Sequence, residues 1–378
     1  MRRVMGRTRA FSSRGAWSVL CSLAVVAGPT VAVAAPVGGG DGEESRRLPF
    51  TSRYEAVQHG GIARAANSAV TCVKTAVRSA PGCSGVRAGG EGRNGDYDMT
   101  YVDVDRDRNT YNSSRARLSL PSGSEVSYAR LYWGGNLRVG EQKPAKDNRR
   151  VLLAEEGGRY KEVRADSVAH RTTGASDAYS ASADVTKLVR RSGSGAYTVG
   201  QINVARGHSR AGAWGGWTLV VAYENAREPL RRLALWDGRT RSATVDGSRS
   251  LRVDGFRVPR GARGSVGLLA YNGDRGAGTD SVSVRGAATR APGVRLHDAA
   301  NPATDVMNST ISDHGRTGAA GREPGHGNTL GLDSDVMDLT PALTEGAGKS
   351  GLDFRFRTGG GEGYELAALF LQARVSGR

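Results

Sequence analysis

The stretch ARLYWGG, residues 129–135, ends an alternating apolar run in two glycines. A second stretch, GGWTLVVAYE at 215–224, carries the same ingredients in the reverse order. Alternation with a period of two is typical of a β-strand, and glycine marks turns and close backbone approaches. Both stretches therefore predict strands, with Trp133 and Trp217 at a sheet boundary where a large ring closes the end of the core.

Similar runs recur from about Tyr54 onward and are separated by clusters of Gly, Pro, Asn and Asp. The runs include YDMTYVDVD, ARLSL, RVLL, AYTVGQINV, VGLLAYN, SVSV and LDFRFR. Most of the 54 glycines lie between the runs, at turn positions where a positive φ is useful. This pattern predicts an all-β protein.

The chain contains an internal repeat. Three segments of the first half have counterparts, in the same order, in the second half: 118–135 and 256–273, ADVTKLV at 183–189 and SDVMDLT at 334–340, and 216–224 and 363–371. We infer two homologous units, residues 50–228 and residues 229–378, each large enough for one sandwich core.

The order of elements in each unit favours a jelly-roll-like β-sandwich. A short helix follows the outer strand, and Asp184 or Asp335 is the expected N-cap. The stretch LDSDVMDL carries three aspartates that we interpret as helix-capping residues: Asp333, Asp335 and Asp338. The alignment also places Trp133 at the position of Tyr271.

The N-terminus has the pattern of a secretory signal peptide over residues 1–34. Five arginines precede the apolar run AWSVLCSLAVVAGPTVAVAA, which ends in an A-x-A cleavage site. We expect export by the general route, with the twin-arginine route as the alternative. A Gly- and charge-rich leader, residues 35–49, follows, and no later run is long enough to span a bilayer. The sequence ends at Arg378 without a sorting motif, so we expect a secreted protein that is extracellular or loosely associated with the cell wall.

The formal net charge is +16, and the first 34 residues contribute five arginines and no acids, so the remainder carries +11. The other arginines are scattered among Asp and Gly, and no basic run has interleaved aromatics. This distribution favours attraction to an anionic cell-wall polymer or a polysaccharide over specific nucleic-acid binding.

Two cysteines remain outside the signal peptide, Cys72 and Cys83. In an exported protein an even, closely spaced pair predicts one disulfide. A redox or metal pair would need a C-x-x-C spacing or neighbouring histidines, and the sequence has neither.

Oxygen-bearing side chains alternate in YVDVDRDRN, which resembles the start of a calcium-binding loop. The candidate ligands are Asp103, Asp105, Asp107 and Asn109. The helix-loop-helix pattern fails, because Arg108 replaces the required glycine and Ser114 stands where a bidentate Glu is needed. Turn aspartates paired with nearby arginines are therefore the competing interpretation.

A second calcium candidate lies in YNGDRGAGTDS and consists of Asn272, Asp274 and Asp280. Asn-Gly-Asp is also a turn signal, so a turn without a metal explains the same residues. Calcium is the one cofactor that the sequence suggests.

No catalytic constellation is evident. The six histidines are dispersed, no H-E-x-x-H occurs, and GHSRA at 207–211 lacks the closing glycine of a nucleophile elbow. We therefore expect a protein that is not an enzyme. Trp214 and Trp236 are flanked by Ala-Gly and Asp-Gly and are the aromatic candidates for sugar stacking on an exposed surface.

Several motifs resemble the N-terminal region of large secreted surface proteins of actinobacteria and their relatives, an uncharacterised domain family. They are NGDYDMTYVDVDRDRNTYNSSRARLSLPSG, ARLYWGG, SADVTKLVRRSGSGAYTV, GGWTLVVAYENAREPLRRLALWDG and NSTIS. In those proteins the region precedes tandem extracellular repeats of unknown function. The resemblance spans residues 60–375 and implies export, β-sandwich architecture and a cell-surface context, without catalytic residues.

These observations predict a secreted, non-enzymatic structural or binding protein of the bacterial cell envelope or extracellular space. The alternatives are a calcium-dependent carbohydrate-binding module and an extracellular hydrolase, whose catalytic groups would meet only in the fold.

Overall fold

The computed structural model describes residues 48–105, 107–140, 144–173, 176–241, 247–255, 257–278, 280–318, 320–358 and 363–375. The predicted signal peptide and most of the predicted leader lie outside the described residues.

Strands dominate the described residues, and the prediction of an all-β protein is confirmed. The strands are β1 (Leu48–Ser68), β2 (Val70–Thr75), β3 (Tyr97–Tyr101), β4 (Ser113–Leu118), β5 (Glu125–Asn136), β6 (Arg150–Glu155), β7 (Lys161–Arg164), β8 (Ser167–Thr172), β9 (Asp177–Asp184), β10 (Gly195–Gly200), β11 (Gly215–Glu224), β12 (Leu230–Arg241), β13 (Ser248–Asp254), β14 (Gly264–Tyr271), β15 (Asp280–Gly286), β16 (Val294–Arg295), β17 (Ile311–Asp313), β18 (Arg316–Thr317), β19 (Arg322–Glu323), β20 (Leu332–Asp338), β21 (Gly351–Thr358) and β22 (Glu365–Arg374).

The helical elements are short. They are α1 (Cys83–Arg87), α2 (Thr186–Ser192), α3 (Thr340–Glu345), and 3-10 turns at Asn94–Asp96 and Ala145–Arg149. In the described part of the chain, no helix has the length and apolarity that crossing a membrane requires.

Eleven strands form one continuous sheet in the order β18-β17-β20-β14-β22-β12-β1-β11-β5-β9-β8. The sheet turns at β1, because residues 48–59 pair with β12 and residues 60–68 pair with β11. Gly60 stands at the change with φ +145°, and a Cβ there would lie 1.9 Å from the carbonyl oxygen of Tyr223, so only glycine fits. We call the part of this sheet with the order β1-β11-β5-β9-β8 the first large sheet. The part with the order β18-β17-β20-β14-β22-β12-β1 is the second large sheet.

Each large sheet is covered on its outer face by a small sheet. The first small sheet, β19-β4-β10-β6-β7, covers the first large sheet, and the second small sheet, β13-β21-β15-β16, covers the second. Trp133 and Trp217 lie opposite each other on β5 and β11 and are fully buried between the first pair of sheets. The Trp217 indole Nε1–H donates to Ser114 Oγ of β4 at 2.9 Å. The prediction that both tryptophans anchor the core is confirmed.

The two large sheets pack face to face. A third apolar cluster contains side chains from both of them, including Tyr132 of β5 and Leu269 of β14. Thr218 of β11 and Ser334 of β20 are far apart in the sheet order, yet the Thr218 hydroxyl donates to Ser334 Oγ at 3.2 Å. The described residues therefore include four stacked β layers, with the large sheets as the two inner layers, and β2 and β3 form a separate two-stranded sheet.

Two strands pair with a strand of the other predicted unit, across the predicted boundary between residues 228 and 229. Residues 48–59 of β1 pair with β12, and β19 adds to the edge of the first small sheet beside β4. The division into units and the jelly-roll strand order stay predictions.

The hydrogen-bond register corrects the alignment of the repeat by three residues. The backbone N–H of Val185 donates to Ala129 O, and that of Leu339 donates to Gly264 O, each at 2.9 Å. Ala129 therefore corresponds to Gly264, an offset of 135 where the aligned sequences gave 138. A shift by an odd number turns a strand's side chains to the opposite face.

The three-residue correction of the alignment overturns two predictions. Trp133 faces the first small sheet, whereas Tyr271 faces the space between the large sheets, so the two positions are not equivalent. The residue before α3 that accepts a hydrogen bond from Thr340 N is Asp338, at 2.9 Å, and Asp335 is buried inside β20.

Candidate functional site

A cleft of about 570 Å³ opens where loops of the two predicted units meet, beside the end of β21 and the start of β22. The first unit contributes the segments 93–96 and 208–210 to its walls. The second unit contributes residues 272–274, Asp280 and Tyr364, among others. The cleft is therefore formed by the contact between the units, and neither unit has it alone.

Asn94 joins the two walls. Its backbone N–H donates to Asp274 Oδ1 at 2.8 Å, and its side-chain Nδ2 donates to Asn272 Oδ1 at 3.0 Å. Asn272 in turn donates from Nδ2 to Gly363 O at 3.0 Å. Asn272 has φ +66°, a left-handed conformation that asparagine tolerates better than most residues. These bonds fix the two walls relative to each other.

Asp280, the first residue of β15, points inward at the floor of the cleft. Its Oδ1 accepts hydrogen bonds from the backbone N–H groups of Val306 at 2.8 Å and Met307 at 3.0 Å. Burial raises the pKa of this carboxyl to about 7, and the charge of Asp305 pushes it in the same direction. Asp280 therefore changes protonation near neutral pH.

A second buried carboxyl, Asp333 of β20, lies under the floor. A Cβ on Gly273 would come within 2.2 Å of Asp333 Oδ2, so the loop above packs directly on the carboxyl. Burial holds the pKa of Asp333 well above its usual range, and the charges of Asp335 and Asp280 act in the same direction. Burial likewise raises the pKa of the neighbouring Tyr364 hydroxyl. Burial thus favours the neutral, protonated form of these floor groups.

The rim of the cleft carries exposed charge. Arg93, His208 and Arg210 are exposed, and Asp96 is half-buried. His208 donates from Nε2 to Gly95 O at 3.1 Å, which leaves Nδ1 free of that contact. Exposed basic side chains at the rim and buried polar groups on the floor suit a ligand that offers many hydroxyl or anionic oxygens.

The aspartates of the first calcium candidate are hydrogen-bonded to neighbouring groups. Asp103 accepts from Ser113 Oγ at 2.8 Å, Asp105 accepts from Thr110 Oγ1 at 3.0 Å, and Asp107 accepts from Asn109 N at 2.9 Å. The carboxylates are thus used by their own loop. Within the described ranges, no group of three His, Cys, Asp or Glu side chains could hold a metal ion.

The competing interpretation, turn aspartates paired with nearby arginines, is also only partly right. Arg115 pairs with Glu323, at 2.7 Å, and not with an aspartate of this loop. Arg106 lies outside the described residues. Hydrogen bonds from the Tyr160, Asp107 and Thr110 groups outweigh burial and lower the pKa of Asp105.

The residues of the second calcium candidate lie at the cleft. Asn272 and Asp274 both face Asn94, and Asp280 is bonded to backbone N–H groups, as described above. The residues that the sequence singled out for a cation therefore serve to build the cleft.

The two aromatic candidates are buried, and the expectation that they are exposed is wrong. Trp214 is 1% exposed and stacks on Tyr271 with ring centroids 5.6 Å apart. Trp236 is 7% exposed and belongs to the core of the second pair of sheets. Flanking glycines suggested exposure, but here they allow close backbone approach. Neither indole offers a face to a ligand in solution.

The predicted disulfide between Cys72 and Cys83 is present, with a Cα–Cα distance of 5.6 Å. It ties β2 to the start of α1. The segment between α1 and β3 contains residues 93–96 of the cleft wall, so the disulfide lies in the polypeptide that shapes the first-unit wall.

The sequence interpretation missed the first-unit wall of the cleft. Arg93 and Asp96 lie in an NGD turn and Arg210 follows GHS, and neither segment carries a recognisable motif. The NGD turn at 94–96 repeats the NGD at 272–274, which lies across the cleft, and that duplication was the available signal.

Residues 91–238 match the model of a family described as a protein of unknown function, DUF3344. The match covers much of the first predicted unit and β12, and it fits the expected resemblance to an uncharacterised domain family. It includes the first-unit wall of the cleft and ends before the second-unit wall. No curated protein matches the chain.

Proposed function

We propose that this chain is an exported, non-enzymatic binding protein of a bacterial cell envelope, and that the cleft between its two jelly-roll-like units is its ligand site. The signal-like N-terminus, the disulfide between Cys72 and Cys83, and the resemblance to actinobacterial surface proteins support export and an envelope location. The observation that carries the binding function is the cleft itself, a cavity of about 570 Å³ lined by residues of both predicted units.

The ligand that fits this cleft is a polyhydroxylated one, a saccharide segment of an envelope polymer. The polar side chains of the lining include Arg93 and Arg210 at the rim and Asp280 at the floor. A protonated Asp280 donates a hydrogen bond that an ionised carboxylate cannot donate. A volume of about 570 Å³ is in the range of cavities that bind small molecules.

The test is saccharide binding by the exported chain, measured on a glycan array and then by calorimetry. The double variant Arg93→Ala, Arg210→Ala removes two exposed rim cations without touching the core. We expect at least a tenfold loss of affinity, since one or two charged hydrogen bonds carry that much free energy. The control Arg171→Ala, Arg191→Ala changes the net charge equally at exposed positions away from the cleft and should bind normally. Equal saccharide binding by the wild type, the rim variant and the control would show that the cleft is not the ligand site.

The hydrolase alternative is favoured by one observation, the pKa of about 7 at Asp280, which suits a general acid. The measurement that separates it from binding is reducing-sugar release from each glycan that the chain retains. Release by the wild-type chain and its loss in Asp280→Asn would identify an enzyme. Retention without release supports a binding protein.

A further inference from the structure

The outer face of the second small sheet carries a regular array of arginines. Along β21, Leu352, Phe354 and Phe356 point inward and are buried, so the alternate side chains point outward. Arg355 and Arg357 are two of these outward side chains, and both are exposed.

The strand register places serines beside the arginines. Two rows run across the sheet, and each puts an arginine of β21 between two serines: Ser248–Arg357–Ser281 and Ser250–Arg355–Ser283–Arg295. Within the described residues, no salt bridge joins Arg295, Arg355 or Arg357 to a carboxylate. The hydroxyls flanking these guanidinium groups are hydrogen-bond donors that do not neutralise charge.

A third row across the sheet, Arg252–Asp353–Arg285, contains a carboxylate. Asp353 lies between Arg252, whose Nε is 2.8 Å from Oδ1, and Arg285, whose Nε is 3.6 Å from Oδ2. Asp254 at the sheet edge is 3.8 Å from the same Arg252. The face therefore keeps a strong excess of positive charge beyond what its own acids balance.

The first small sheet lacks this excess. Arg115 pairs with Glu323 at 2.7 Å, and Arg117 pairs with Glu156 at 3.2 Å. Lys161 likewise pairs with Glu155. Because these outward cations have carboxylate partners, the second small sheet carries a larger excess of positive charge than the first small sheet.

The spacing suits a linear polyanion. Residues two apart on a strand are separated by about 6.5–7 Å, and neighbouring strands by about 4.8 Å, so the guanidinium groups form a grid that consecutive anionic groups can follow. An arginine fork saturates a planar carboxylate by itself, whereas a tetrahedral phosphate also accepts from hydroxyls on either side. The outward residues of the three rows are Arg, Ser and Asp, with no aromatic ring on which nucleic-acid bases could stack.

We propose that the outer face of the second small sheet binds a linear, phosphate-bearing polymer of the cell envelope and holds the exported protein on it. This inference rests on the proposed export of the chain and is independent of the saccharide cleft. The five arginines at 252, 285, 295, 355 and 357 supply the charge, and the serines of the two rows supply additional donors.

The test measures binding of the full exported chain to linear inorganic polyphosphate across a range of salt concentrations. The variant Arg355→Ser, Arg357→Ser replaces two outward side chains by the residue already present beside them, so the fold is preserved. The matched control Arg115→Ser, Arg117→Ser removes the same charge from the first small sheet. We expect the slope of log K against log salt to become shallower by about 1.4 in the Arg355/Arg357 variant, since each lost charge contributes about 0.7. The control should keep nearly the wild-type slope.

Each outcome decides the proposal. Equal losses in the two double variants, with thermal unfolding unchanged, would show attraction to net charge alone and would overturn it. Tighter binding of a polyuronate or of single-stranded DNA than of polyphosphate at equal charge would assign the wrong polymer and would overturn it as well. Cleft variants that lose saccharide binding but keep polyphosphate binding would show that the polymer binds outside the cleft, and would support the proposal.

Discussion

Asp237 of β12 accepts a hydrogen bond from Arg130 of β5 across the interface between the two large sheets. The Arg130 Nε and Asp237 Oδ2 atoms are 3.0 Å apart, and the two side chains are 3% and 2% exposed. Arg53 and Tyr132 also donate to this carboxylate, Arg53 Nε at 2.5 Å and Tyr132 Oη at 3.1 Å. One buried aspartate therefore holds three groups at the junction of the predicted units.

Replacing Asp237 by alanine should destabilise the protein strongly. The buried Arg130 would lose its buried acidic partner and keep the partly exposed Asp166, and breaking a buried ion pair costs about 3–5 kcal/mol. The free energy of unfolding in urea measures this. Arg164→Ala, which breaks an exposed pair with Glu162, is the control and should change stability by less than about 1 kcal/mol. A small effect of Asp237→Ala would mean that the units are held by apolar contacts alone.

Reduction of the disulfide between Cys72 and Cys83 should lower stability. The bond closes a loop with a sequence separation of 11, and the loss of that constraint costs about 3 kcal/mol by the chain-entropy account. Thermal unfolding with and without dithiothreitol measures the change, and Cys72→Ser, Cys83→Ser should reproduce it without reductant. A midpoint that ignores both treatments would contradict the prediction.

Asp280 should make the protein less stable as the pH rises from about 4 to 7. Its pKa in the folded state is raised to about 7, so the folded chain keeps the proton that the unfolded chain releases near pH 4. The contribution is fully present below the unfolded pKa and is lost as the pH rises through the folded pKa, on the order of 2–4 kcal/mol in total.

The difference in unfolding free energy between Asp280→Asn and wild type isolates this effect, because asparagine keeps an acceptor oxygen and does not titrate. The unfolding free energy of the variant should rise relative to that of the wild type as the pH increases from 4 to 7. Asp353→Asn is the control of opposite sign, since the hydrogen bond from Arg252 lowers the pKa of Asp353. A constant difference for Asp280→Asn across this range would show that its carboxyl is ionised throughout.

Gly134→Ala should destabilise the interface between the large sheets. A Cβ there would lie 2.7 Å from the carbonyl oxygen of Tyr179 and 3.1 Å from the ring of Tyr271. Overpacking of this kind costs about 1–3 kcal/mol. Gly82→Ala is the matched control, since a Cβ at Gly82 meets nothing within 4 Å and its φ of −62° suits alanine. Equal unfolding midpoints for the two variants would show that the sheets separate easily at this point.

Chelation should leave the thermal midpoint unchanged. The aspartates of the 103–109 loop are hydrogen-bonded within the loop, and the described residues hold no group of three ligands for a cation. The measurement is thermal unfolding with EDTA and with added calcium. A stabilisation by calcium that disappears in Asp105→Asn would restore the calcium-dependent alternative.

Much of the local structure could be predicted because it depends on neighbours in the sequence. The alternating runs became strands, the close cysteine pair became a disulfide, and Trp133 and Trp217 became buried anchors. The sequence pattern did not predict which side chains of a strand are buried where both faces of the strand are covered. In β5 nearly every residue is buried, Arg130 included, because both faces of a large sheet are covered.

The cleft could not be predicted because its walls are distant in the sequence. Asn94 and Asp274 are 180 residues apart, and they meet only because β1 turns the continuous sheet and brings the two large sheets face to face. The same turn buries Trp214 between the two large sheets, whereas Trp236 is buried between the second large sheet and the second small sheet.

By itself, the sequence determined that this chain forms strands and which cysteines pair, since hydrophobic alternation and short loops act between near neighbours. The tertiary structure alone decided which face of each strand packs on which sheet, and with it the buried Asp280 in the cleft and the arginine grid on the second small sheet. The reason is register, because one residue of slip, or a three-residue error in aligning the repeat, sends every side chain to the other face.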